Sequence, residues 1–173
     1  AKLNAMVNIV GEAAYANESS VLELSLRAIA QIVKVPVSRV DKALPVFIKQ
    51  IFGIIHQYGS PQSQIVQTAF RTLTAILREC KQASLSETHL SGLLKLIAPD
   101  LEEPAVQNTL FALLRAIVSR RLIVSEVYDT MDKVAEMMVT NQSESVRDLC
   151  RSTYLQFLLD YPQGKQRLRN QIG

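Results

Sequence analysis

Three valines set the frame for this chain. Val66, Val106 and Val146 stand 40 residues apart, and each opens the same helical phrase. Down the aligned columns Phe70 meets Leu110 and Cys150, Leu73 meets Leu113 and Thr153, and Leu77 meets Ile117 and Phe157. That spacing of three and four residues is one apolar stripe on a helix. An earlier helix joins with a slightly longer offset, placing Leu22, Leu26, Ile29 and Val33 in the same columns. Partner helices lie between: Ala43, Val46, Phe47, Ile51 and Ile54; then Leu90, Leu93, Leu94 and Ile97; then Val127, Met131, Val134 and Met138. Each repeat is therefore a helical hairpin with a short polar turn. A hairpin cannot cover its own apolar faces, so the copies must stack, each touching only its neighbours.

The spacing predicts helices over roughly 2–15, 18–34, 38–58, 61–81, 86–98, 103–120, 125–139 and 143–160, with a further helix starting at 163–173 and cut off. Helix-start signals precede the periodic blocks: Ser20 with Glu23, Ser38 with Asp41, Ser84 with Glu87, Asn141 with Glu144, and Ser60 followed by Pro61. Pro45 falls inside the third helix, which predicts either a kink or a short turn over 38–43 before the helix begins. A period near 40 made of two helices is the HEAT pattern, three helices being the armadillo one. The expected fold is all-α: an α-solenoid of about four HEAT-type helical hairpins, with repeats at about 2–34, 38–81, 86–120 and 125–160 in a single array over 1–173. The phrase Glu144-Ser145-Val146-Arg147 resembles the opening of a HEAT second helix, whereas Val66 and Val106 are followed by glutamine.

Composition agrees with packed helices. Of 173 residues 48% are apolar, yet 5 Phe, 5 Tyr and no Trp make the core aliphatic. No stretch reaches the roughly 18 uninterrupted apolar residues of a membrane span, so no membrane partner is expected. The sequence starts within an apolar pattern, Leu3, Met6, Val7 and Val10, and reads as a window of a longer protein. The 19 basic and 16 acidic residues are spread evenly, and a net charge of +3 does not by itself announce a nucleic-acid binder. Cys80 and Cys150 lie outside any Cys-x-x-Cys spacing, so neither zinc nor a disulfide framework is indicated. The sequons at Asn17 and Asn141 fall where helices start, and capping explains them.

A search for chemistry returns little. Around Gly164-Lys165 the partners of a phosphate loop are replaced by Leu159 and Gln166. His56 and His89 have no second ligand at helical spacing, and neither cysteine has a histidine nearby in sequence to activate it. Glu102-Glu103, Asp129 with Asp132, and Glu144 with Asp148 read as caps and solvated faces. No enzyme, cofactor or small-molecule substrate is expected on these grounds. Two basic groups are the candidates for contact with RNA or a protein partner: Arg115, Arg120 and Arg121 at one hairpin turn, and Lys165, Arg167 and Arg169 near the end. Last-turn cations also complement the helix dipole, and no aromatic residues interleave as stacking platforms, so a solvated structural role stands beside the binding one.

The string Tyr154-Leu155-Gln156-Phe157-Leu158-Leu159-Asp160-Tyr161-Pro162-Gln163-Gly164-Lys165 resembles a segment of a particular family. These are the very large HEAT-repeat proteins of the small-subunit processome, the family of the down-regulated-in-metastasis protein, also called U three protein twenty. The specific resemblance covers roughly residues 143–170. It implies a nucleolar, non-catalytic scaffold of the early small-ribosomal-subunit precursor, needed for 18S rRNA processing. Its partners would be protein subunits of a large ribonucleoprotein assembly, with ribosomal precursor RNA, and the chain would be a short window toward the C-terminal half. No functional residue transfers from the family. The repeat alone is equally compatible with a transport receptor or adaptor that grips protein cargo.

Overall fold

The computed structural model describes residues 19–34, 40–122, 124–163 and 166. They form α1 Ser19–Ile32, α2 Leu44–Tyr58, α3 Gln64–Glu79, α4 Glu87–Ile97, a 3₁₀ turn Ala98–Asp100, α5 Gln107–Ser119, α6 Ser125–Thr140 and α7 Glu144–Asp160. No strand occurs among the described residues. Helix α1 packs on α3, α3 on α5 and α5 on α7, which makes one continuous layer of second helices. The first helices α2, α4 and α6 form the other layer, where α2 packs back on α3, α6 on α7, and α4 on α6. This is an all-α solenoid of helical hairpins, as the period of 40 requires. The helix expected over 2–15 and the one expected over 163–173 fall outside the described residues, apart from a few positions of the latter.

The shared columns are the core. Phe70, Leu110 and Cys150 are each 0% exposed, and Leu73, Leu113 and Thr153 likewise. Leu22, Leu26, Ile29 and Val33 are buried with them, as are Leu77, Ile117 and Phe157. Three positions of the first-helix stripes differ, of which Ala43, in the turn before α2, is only half-buried against the core. Val46 is 47% exposed, because α2 starts at Leu44 and its buried face is centred on Phe47, Ile51 and Ile54, about a quarter-turn away. Met138 is only half-buried, whereas Met137 extends the Thr130–Val134 row into the core.

Several helix starts shift for local reasons. Of the two outcomes Pro45 allowed, the turn occurs: residues 41–43 turn, and Pro45 occupies the first turn of α2, where a missing N–H costs no helical bond. Helix α5 begins at Gln107, not 103, because Pro104 lies in a turn. Ser86, not Ser84, caps α4, its hydroxyl accepting the His89 N–H at 3.1 Å. Asn141 accepts the Ser143 N–H at 2.9 Å, an Asx turn that leads into α7. Pro99 cannot donate, and α4 tightens there into the 3₁₀ turn.

Candidate interaction surface

The C-terminal ends of the second helices form a polar seam with the same period as the core. At the end of α3 the Cys80 thiol lies 3.9 Å from the Val33 carbonyl at the end of α1. One repeat on, the Arg120 guanidinium donates to the Lys81 carbonyl and, at 2.8 Å, to that of Ala83. One repeat further, the Tyr161 hydroxyl donates to the Leu122 carbonyl at 2.8 Å. Chain segments leaving a helix carry orphan carbonyls, and each is met by a donor from the next copy. Burial pushes the Tyr161 phenol far above its ordinary range, with nearby Tyr128 and Asp160 adding to the effect, so it stays a neutral donor.

Arg121 closes α5 in an unusual way. Its φ of 55° is the left-handed conformation that glycine takes most easily. The Arg121 N–H bonds Val118 O at 3.0 Å and the Leu122 N–H reaches Ile117 O at 3.5 Å, the paired bonds of a Schellman end. Its guanidinium sits 3.7 Å from the Asp160 carboxylate. Arg115 lies higher on α5 and reaches α7, donating from Nε to the Thr153 hydroxyl at 3.1 Å and from its terminal nitrogen to Ser152. Each of the three arginines of the first basic group thus bonds the neighbouring repeat. The structure does not gather them on one face: Arg120 turns to the preceding repeat and Arg115 and Arg121 to the following one, and they do not present three open guanidinium groups. Arg121 keeps 70% of its side chain in solvent, the most accessible of the three. Lys165, Arg167 and Arg169 lie outside the described residues.

The first-helix layer has its own ties. Glu126 of α6 accepts the Ser91 hydroxyl of α4 at 2.6 Å and pairs with Lys95 at 3.4 Å. The Ser91 hydroxyl first, then its own backbone N–H, Ser125 and Lys95, hold its carboxyl down at about 2. Lys133 donates to the Ala98 carbonyl at 2.8 Å. The thiols of Cys80 and Cys150 are buried and free, and that burial raises both above the ordinary thiol value. Among the described residues no three His, Cys, Asp or Glu side chains are placed to hold a metal ion, and no helix is long and apolar enough to cross a membrane.

Between α2 and α4 lies an open groove of about 610 Å³. Phe52 and His89 stack across it, ring centroids 4.3 Å apart and planes within 9°. The sequence reading passed over this feature; the signal it carried was a glycine inside each rim helix, Gly53 and Gly92.

Fold and surfaces together define a stacked-hairpin α-solenoid whose described residues offer edges and grooves for contact. No profile of an established protein family matches the chain. It is 33% identical over 169 residues, 98% of its length, to U3 small nucleolar RNA-associated protein 20 of Schizosaccharomyces pombe. It is 35% identical over 159 residues, 90% of its length, to the protein of the same name in Saccharomyces cerevisiae. The chain spans 7% of the first relative's length and 6% of the second's. By sequence, then, it belongs with one stretch of the U3 small nucleolar RNA-associated protein 20 family. The resemblance first visible in residues 143–170 runs over nearly the whole chain.

Proposed function

We propose that this chain is one window of a non-catalytic scaffold in the nucleolus, part of the small-subunit processome and needed for 18S rRNA processing. The observation that carries the reading is the homology over 98% of the chain to a protein named for its association with the U3 small nucleolar RNA. The architecture supports it: an array whose repeats touch only their neighbours exposes long edges, and such edges suit the holding of several partners at once. The proposed partners are protein subunits of a large ribonucleoprotein assembly together with ribosomal precursor RNA. Within this reading the RNA-facing candidates remain Arg115, Arg120, Arg121, Lys165, Arg167 and Arg169, with Arg121 the most solvent-accessible described member.

Depletion of the parent protein, followed by pulse-labelling of ribosomal RNA, tests the proposal. The expected result is accumulation of 18S precursors with large-subunit RNA maturation preserved. Unchanged 18S maturation would overturn it. Purification of the parent with transport proteins and no RNA would move the solenoid to a cargo-binding role.

A further inference from the structure

We propose that the groove between α2 and α4 is a docking site for an amphipathic helical segment of a protein partner, acidic on the edges that meet the groove rim. Phe52, Ile55, Leu93 and Leu96 supply an apolar lining. The charged and titratable side chains that line it are Lys49, His56 and His89, with no carboxylate among them. Acidic side chains lie in the hollows that adjoin it: Asp41 in one that Lys49 and His89 also line, and Glu87 and Glu126 in one that Thr88 and Gly92 also line. A partner with carboxylates flanking an apolar stripe therefore complements this stretch.

The glycines point the same way. Gly53 and Gly92 sit inside helices, where glycine lowers stability relative to alanine. Close helix packing is the usual reason to keep one, yet a Cβ at either position would meet nothing within 4 Å. The space they leave is open to the groove, and it admits the close approach of another chain. The Phe52–His89 stack links the two rim helices, so the groove is preformed.

Both rims are helices with their backbone groups already bonded, so an extended peptide would find no ladder to join; a helix satisfies its own backbone. The lined stretch, from Lys49 on α2 to Gly59 that caps its end, is about 15 Å long, enough for roughly three turns with apolar residues at i, i+3 or i+4, and i+7. A single lysine over an apolar floor is a poor match for an RNA backbone, which needs rows of cations.

The inference rests on the scaffold reading but not on which assembly the scaffold serves. The test places a benzophenone photo-crosslinking side chain at the exposed rim position of Thr88 in the parent protein in cells, leaving both glycines in place, and maps the adduct by mass spectrometry. The expected adduct is on a carboxylate-bearing amphipathic segment of another protein. It should fall at least ten-fold in both Gly53→Leu, which fills the groove, and Lys49→Glu, which reverses its charge. The open space around Gly53 lets the first variant keep its fold. An adduct on RNA, an adduct on a basic segment, no adduct, or an adduct unchanged by both variants overturns the proposal. A loss of 18S processing on depletion would survive that failure, so the two readings fall separately.

Discussion

Phe70→Ala is the sharpest test of the shared apolar column. Phe70 is fully buried on α3, the helix that packs on α1 before it and on α5 after it. Its side chain removes on the order of 150–250 Å² from water, and at about 25 cal/mol per Å² that is roughly 4–6 kcal/mol as an upper bound. Phenylalanine-to-alanine changes in closed cores cost about 3–5 kcal/mol, and Phe70 at 0% exposure belongs to such a core. The control is Phe52→Ala, half-buried at the open groove, with an expected cost below about 1.5 kcal/mol. Urea unfolding followed by far-UV circular dichroism reads both. With a slope near 2 kcal/mol per M, Phe70→Ala should lower the midpoint by roughly 2 M. Because neighbouring repeats support one another, amide exchange should speed up in α1 and α5 as well as α3. A stability change within about 0.5 kcal/mol for Phe70→Ala, or one no larger than that of Phe52→Ala, refutes the column.

The depressed Glu126 carboxylate links stability to pH: its folded value of about 2 lies below the ordinary 4.5, so its contribution is present above about 4.5 and disappears as pH falls toward 2. Glu126→Gln should lower the unfolding midpoint at neutral pH, flatten it across that window and converge with the parent toward pH 2, and an identical acid profile would contradict the assignment. Cys80 and Cys150, buried with thiols shifted upward, should react with a thiol reagent at pH 8 only as fast as the chain opens, and immediate labelling of either would show it to be accessible. Arg120→Ala should destabilise the array by about 1–3 kcal/mol through the carbonyls it leaves unmet, while Arg121→Ala, exposed and weakly paired, should change thermal stability little. If the first basic group contacts RNA, crosslinking of the parent to precursor RNA should respond to Arg121→Ala, and an unchanged crosslink would remove Arg121 from the interface.

Periodicity made the layer of second helices legible because burial repeats there: every copy must hide the same face, so Phe70, Leu110 and Cys150 announce one another at a spacing of 40, with Leu26 joining at 44. The first helices were less legible, since only part of each is enclosed: Val46 lies a quarter-turn off the buried face, and Ala43 and Met138 are only half-buried at its margin. The polar seam was harder still to foresee. Nothing in the residue types at 115, 120 and 121 distinguishes an arginine that meets a carbonyl in the preceding hairpin from one that waits for phosphate. The distinction depends on where the chain goes after the helix ends, and a left-handed arginine at 121 is not a turn signal anyone reads from sequence. The groove was hidden for the opposite reason: Gly53 and Gly92 were visible as mid-helix glycines, but only placement shows that the space beside them is empty rather than filled by a neighbouring helix. In a solenoid the buried contacts recur with the repeat, whereas a binding surface belongs to one pair of repeats. The α2–α4 groove departs from the period in its chemistry: Phe52, His89 and apolar side chains line it, whereas Glu87, Ser91, Lys95 and Glu126 line the space between α4 and α6, and the last three tie those helices together. That departure is where function in this stretch of the array is best sought.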